Sequence, residues 1–361
     1  MARKITQNKV VTEENFRRVH PVNRQFLKEW LPYLRTMDRS DKTIENYKNC
    51  IEIILVWNLE NNHNKPLYAW GRREIILLQD WLMTTQDNSP ARVKGMKSAL
   101  SSLCNFIERE YSTKYPNFRN VVRQVEDPVL TKTLDKSVFT EDEIVELLNK
   151  LVNKSRYEQA CALALALYSG RRKTELTRFK VSDFTDNNLV CDGAMYKSAP
   201  MKTKGRGRNG KILKCYTLEG FTPYLNLWLS ERERLGITSE YLLTDLKNPK
   251  LPISTKTLDS WAQSFTRIMN KDFYWHAVRH TRVTEFKRDG IPNEVIQQYI
   301  GWSTADMVNK YNDLDADEQF GSFFSKGGTN VSESISVESA NARSNESNES
   351  IKSDAGSAAT A

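Results

Sequence analysis

Residues 275–280 read Trp275-His276-Ala277-Val278-Arg279-His280. They are followed by Ile300-Gly301-Trp302 and, nine residues past Trp302, by Tyr311. On a helix, His276 and Arg279 stand one turn apart and can reach a single anionic group. Histidine can donate to a phosphate oxygen or move a proton. A tyrosine further along offers a hydroxyl able to attack such a group. The constellation suits phosphate chemistry. His276 and His280, at i and i+4, also admit a metal reading. The intervening Ala277-Val278-Arg279 lacks the glutamate of an HExxH site, and no third-ligand motif accompanies it, so no metal is expected.

Two upstream segments could supply the parts this stretch lacks. Gly170-Arg171-Arg172-Lys173-Thr174-Glu175-Leu176 opens a helix just after a glycine stop. There Glu175, one turn on, can fix the Arg172 guanidinium as a bidentate phosphate clamp. Taken alone, such a pair is most often a surface ion pair. The second segment is Lys202-Thr203-Lys204-Gly205-Arg206-Gly207-Arg208-Asn209-Gly210-Lys211, and residues 197–214 hold seven basic side chains and no acidic one. β-like pieces flank it as in a hairpin. Its three glycines make the loop compliant, so it can deliver a lysine into a site or touch DNA without sequence preference.

Composition agrees with a polyanion partner. The chain of 361 residues carries a net charge of +8, and such an excess fits nucleic acid without requiring it. From Lys326 onward there are three basic and five acidic residues, so the remainder carries +10 and the charge belongs to the folded part. The five cysteines are scattered, with no CxxC pair, which suggests neither disulfides nor zinc. No apolar run approaches the roughly 20 residues of a membrane span, and the basic start has no apolar core. An intracellular protein with reduced thiols and no membrane association is expected.

The chain divides by pattern. Residues 1–22 read as an N-terminal arm, 23–112 as a helical domain and 113–137 as a linker. Residues 138–324 read as a second domain, and 325–361 as a disordered tail, with nine serines and no aromatic residue from Lys326 onward. Ser40 caps one helix, and Ser89-Pro90 opens another with Pro90 at its first position. The latter helix buries Val93, Met96, Leu100, Leu103, Cys104 and Ile107. Arg92, Lys94, Lys97, Ser98 and Ser101 lie on the rest, where they could track a phosphate backbone or simply face solvent. At the second boundary Thr140 and Glu143 form a capping box stapled by Phe139 and Ile144. A second apolar helix stops at Ser169-Gly170, β-like pieces follow Val181, and helical periodicity returns to about Phe324. The expected class is mainly α with a small β-sheet and hairpin (α+β).

Together, and in this order, these segments resemble the tyrosine recombinases, or phage-type integrases. That family runs from an arginine in a G-x-R-x-x-E-L-like box to a hairpin lysine, H-x-x-R, a His or Trp after glycine, and a nucleophilic tyrosine nine residues on. The matching positions are Arg172 with Glu175, Lys204, His276, Arg279, Trp302 and Tyr311. Lys204 in Thr-Lys-Gly matches better than Lys202 in Met-Lys-Thr, which stays open. The resemblance covers roughly 138–324, and 23–111 is similar to the family's core-binding domain.

The resemblance implies a site-specific DNA recombinase or integrase, without cofactor, that cuts and rejoins double-stranded DNA at specific recombination sites through a 3′-phosphotyrosyl intermediate. It implies self-association to a tetramer on DNA, and a cytoplasmic, nucleoid-associated protein encoded by a bacterium or phage. The stretch before residue 23 is short for a further arm-binding domain. Trp302 stands where many members carry histidine; indole donates only, which moves proton transfer to His276 and the lysine. Lys202, Arg206, Arg208 and Lys211 join Arg92, Lys94 and Lys97 as expected DNA contacts. Strand passage like that of type IB topoisomerases, or DNA binding without activity, are the alternatives.

Overall fold

The structure, a computed structural model, describes residues 10–129, 139–203, 205, 210–304 and 308, and the backbone of 324–325 and 328–329. It is mainly helical with small antiparallel sheets. Two compact units emerge: residues 1–134 with 202–212, and 135–201 with 213–361.

In the first unit a short helix α1 (Glu13–Arg18) precedes four longer ones, α2 (Pro21–Thr36), α3 (Asp41–Asn61), α4 (Arg72–Thr84) and α5 (Pro90–Glu110). Local chemistry sets their starts. Ser40 Oγ accepts from the Thr43 amide, and Ser89 Oγ accepts from that of Arg92 ahead of Pro90. The apolar faces close around Trp30, Ile51, Trp57, Leu100 and Leu103. Phe118 and Val122, in the stretch read as linker, are buried in this same core.

The second unit begins as the capping signal requires. Thr140 Oγ1 accepts from the Glu143 amide while Glu143 returns a carboxylate to the Thr140 amide, opening α6 (Glu141–Asn153) over a buried Phe139. Helix α7 (Tyr157–Ser169) runs through the centre of the core. Cys161, Leu163, Leu165 and Leu167 are fully buried, so both its faces are covered. A one-turn helix α8 (Lys173–Leu176) follows.

Strand β1 (Leu189–Val190) pairs antiparallel with β2 (Met195–Lys197). The chain then enters β3 (Met201–Thr203), which pairs with β4 (Lys211–Leu213). Strand β5 (Tyr216–Leu218) returns to β2 with Tyr196 opposite Thr217. The expected hairpin is thus two ladders in series, with Ser198 and Cys215 bonded between them (Ser198 N to Cys215 O, 2.8 Å).

Helices α9 (Thr222–Arg234), α10 (Thr255–Met269), α11 (Trp275–Arg288) and α12 (Asn293–Ile300) complete the described part. The unbroken helical return expected after Leu218 is corrected. A hairpin of β6 (Thr244–Asp245) and β7 (Asn248–Pro252) interrupts it, since Pro249 and Pro252 cannot sit in a helix interior. Backbone 324–325 pairs with 328–329 as β8 and β9, across the boundary between the second domain and the stretch read as tail; the rest of that tail lies outside the described residues. No helix of the described residues is long and apolar enough to cross a membrane.

Candidate active site

Two helices end against each other on left-handed glycines. Gly170, at φ 60°, terminates α7, and Gly301, at φ 75°, terminates α12. Their positive φ values disfavour a side chain, and one would also displace neighbours: a Cβ on Gly170 would sit 2.5 Å from Ile300 Cδ1, and one on Gly301 would sit 2.9 Å from Leu213 Cδ1 and 3.1 Å from Arg171 Nη1. The residues following these glycines are those the motifs single out.

Arg172 is the residue before α8. Its backbone amide donates to Glu175 Oε2 and its Nη1 donates to Glu175 Oε1, both at 3.1 Å. Glu175 is fully buried, whereas the Arg172 side chain is 23% exposed. A carboxylate on the inside thus holds a guanidinium whose outer edge meets solvent. This is the clamp expected from the spacing, and a buried carboxylate makes it more than a surface pair.

Helix α11 carries the second pair. Residues 277–284 are buried, and polar members of the run are held by backbone acceptors. Thr281 Oγ1 donates to Phe139 O at 2.8 Å, and Arg282 donates to Leu167 O at 3.0 Å and to Glu141 at 2.7 Å. Arg279 is fully buried; its Nη1 donates to Gly170 O at 2.8 Å and its Nη2 to Ile300 O at 3.4 Å. His276 is exposed one turn earlier, its ring edge-on to His280 with centroids 5.3 Å apart. Among the described residues no third His, Cys, Asp or Glu joins that pair in a group able to hold a metal.

Trp302 is 6% exposed, and the Arg279 guanidinium lies over its ring at 5.1 Å from the centroid. Its amide donates to Gln297 O at 3.0 Å, which fixes its exit from α12. Arg172 and Glu175, Arg279 and Trp302 are thus tied to one junction of backbone around Gly170 and Ile300. Tyr311 and Lys204 lie outside the described residues. Tyr299, a nearby hydroxyl, is poorly suited to attack. It is buried and donates to Tyr168 O, and burial pushes its ionisation well above the usual tyrosine range.

Sequence reasoning passed over Arg171. It is 1% exposed and donates through Nη1 and Nη2 to the carbonyls of Ile300 and Tyr299. The only signal in the sequence is an arginine between an apolar helix and the clamp.

The expected DNA contacts fare differently. Arg92 is exposed, and Lys94 is half exposed beside Asp127 at 3.2 Å. Lys97 is corrected: it is 4% exposed, and its Nζ donates to Gln79 Oε1 (2.8 Å) and to Val125 O and Glu126 O (2.9 Å each), with Asp127 at 3.1 Å. All its donors serve the unit's own backbone and side chains, leaving none for a phosphate. Lys202 is exposed on β3, between buried Met201 and Thr203, and Lys211 is half-buried on β4. Gly210, at φ 64°, lets the hairpin close: a Cβ there would meet Thr203 O at 2.3 Å. Arg206 and Arg208 lie outside the described residues.

Residues 137–318 match the family model described as the phage integrase family. A recombinase-like protein, YomM, from the SPbeta prophage of Bacillus subtilis is 28% identical over 71% of this chain and 74% of its own length. A tyrosine recombinase of Thermosipho africanus is 20% identical over 82% of this chain and 96% of its own length. Among solved structures, a lambda integrase tetramer bound to a Holliday junction covers 86% of this chain and 79% of its own. It superposes at a TM-score of 0.58 with 18% identity, a likeness of fold.

Proposed function

The chain belongs to the phage integrase family and is a tyrosine-type site-specific recombinase; on that premise we propose that it cuts and rejoins DNA through a 3′-phosphotyrosyl intermediate that needs neither ATP nor metal. The observation that carries this reading is the junction at which Gly170 O and Ile300 O hold Arg279 over Trp302, with the Arg172–Glu175 pair beginning two residues after Gly170.

The chemistry follows from charge. Attack on a phosphodiester concentrates negative charge on the non-bridging oxygens. Donors fixed in advance around that position lower the barrier because they need no reorganisation. Arg172, Arg279, His276 and Trp302 are the proposed donors. Tyr311 attacks phosphorus as His276 takes its proton. The P–O5′ bond breaks, and Lys204 protonates the leaving 5′-oxygen. One phosphodiester replaces another, so the bond energy is retained and the reverse attack by a 5′-hydroxyl rejoins the strand.

Exchange between two sites calls for several active sites in one complex. The fold is shared with the lambda integrase whose solved assembly is a tetramer on a Holliday junction, and we extend that stoichiometry to this chain on double-stranded DNA. Its place of action would be the DNA-containing compartment of a bacterium.

The test is a plasmid carrying two copies of the bound site, located by footprinting and incubated in EDTA without ATP. Reciprocal recombinant circles are expected. Relaxation of supercoils with no recombinant product would instead mark a topoisomerase, and neither product would mark a DNA-binding protein without activity.

A further inference from the structure

Two adjacent arginines begin the second half of the junction, and their surroundings separate their work. Arg172 is partly exposed and held by a carboxylate. Arg171 is 1% exposed and donates only to backbone carbonyls and, through its amide, to Ser169 Oγ. Its Nε has no partner in a buried setting. A buried guanidinium without a carboxylate is costly to desolvate. What offsets that cost is the C-terminal end of α12, whose last carbonyls lack partners within the helix and carry the negative end of its dipole.

The satisfaction of that helix end is complete and specific. Gln297 O accepts from the amides of Gly301 and Trp302. Tyr299 O accepts from Arg171, and Ile300 O accepts from both Arg171 and Arg279. Arg171 Nη1 also lies 3.1 Å from where a Gly301 Cβ would stand. The guanidinium therefore fixes where α12 stops and how Gly301 turns, immediately before the Trp302 ring that packs under Arg279.

We infer that Arg171 is a positioning residue for strand cleavage: by holding the Tyr299 and Ile300 carbonyls it sets the orientation of Trp302 against Arg279. The inference rests on the site reading above. A lysine at position 171 keeps the charge but can hold only one carbonyl well. A methionine keeps the volume and loses both contacts.

The test combines two readouts on the full-length protein. The first is single-turnover cleavage of a nicked suicide duplex. R171M should cut about 30-fold to 100-fold more slowly than wild type, and R171K about 10-fold. In a W302F background R171M should cost less than about 3-fold more, because both changes remove the same arrangement. A full multiplicative loss in that background, or no loss from R171M alone, overturns the inference.

The second readout is independent of activity. The chain has eight tryptophans, and 5-fluorotryptophan labelling gives each a 19F line, that of Trp302 being the one missing in W302F. R171K should move or broaden the Trp302 line and leave lines from the 10–129 region in place. An unmoved Trp302 line overturns the inference, as does a uniform change of all lines. If the wild type itself forms no covalent product, the site reading falls while the 19F lines still decide on Arg171.

Discussion

Arg279 donates to the carbonyl of Gly170 at 2.8 Å across 109 residues of sequence, so the end of one buried helix orients the guanidinium of another. The contact is geometric as well as electrostatic, since the same side chain reaches Ile300 O. A lysine in its place would keep a charge and lose the fork. R279K should therefore slow cleavage of a suicide duplex by about 100-fold to 1,000-fold. Its affinity for the same DNA, measured by anisotropy, should change little. Wild-type cleavage by R279K would remove Arg279 from the site.

Glu175 holds Arg172 from the inside. E175Q retains an oxygen acceptor and loses the charge, so Arg172 should be held less tightly without a cavity being left. A loss of about 10-fold in cleavage is expected, with the melting temperature nearly unchanged. E175A removes the acceptor from a partly buried cation and should destabilise the second unit by about 2–4 kcal/mol in urea titration. Equal behaviour of the two variants would show that the pair is structural only.

Trp302 can donate but cannot accept a proton. W302F should lower cleavage by about 10-fold to 100-fold, and W302H should restore much of it, since either nitrogen ring supplies a donor. The shape of the cleavage-rate profile against pH should be unchanged in W302F if His276 is the base. A profile whose acidic limb disappears with Trp302 would contradict that assignment.

Much of this arrangement could be read in the sequence, because its signals are local. The Thr140–Glu143 box, the Ser40 and Ser89-Pro90 starts and the Gly170 stop each depend on residues within one turn, and each appears where expected. The Arg172–Glu175 spacing is of the same kind. What escaped was set by distant partners. Lys97 falls on the polar edge of α5 by periodicity, yet its acceptors come from Gln79 and from residues 125–127. Arg171 and Arg172 are the same letter side by side, and only carbonyls 128 and 129 residues away decide which is buried. The β6–β7 hairpin is short and proline-interrupted, so it presents no alternation to read.

The burial of Lys97 has a consequence for DNA binding. Neutralising an exposed phosphate contact should reduce the slope of log affinity against log salt by about 0.9 per contact. R92A and K94A are expected to do so. K97M should leave the slope unchanged and instead lower the stability of the N-terminal unit by about 1–3 kcal/mol, by leaving the carbonyls of Val125 and Glu126 without donors. A reduced salt slope in K97M would return Lys97 to the DNA interface.

Glu158 makes the second unit sensitive to pH. It is buried on α7 and accepts from the Thr244 amide at 2.9 Å, and burial pushes its carboxyl up to about 7 against the opposing pull of that amide and of Arg232. The folded state therefore keeps a proton that the unfolded chain releases near its ordinary value of 4.5. Stability should fall as pH rises through that window and level off above about 7, by up to about 3 kcal/mol. Urea titrations at pH 5 and pH 8 measure the fall. E158Q, which keeps the Thr244 acceptor, should flatten it, and an unchanged slope in E158Q would assign the effect elsewhere.

The most direct measurement is the identity of the residue joined to DNA. A nicked duplex bearing the footprinted site traps the cleaved strand, and digestion with protease and nuclease followed by mass spectrometry finds the peptide carrying the nucleotide. The expected result is a single adduct on Tyr311, linked to a 3′-phosphate, formed in EDTA and absent in Y311F. An adduct on another residue, a 5′-linkage, or cleavage that persists in Y311F would contradict the assignment of this site.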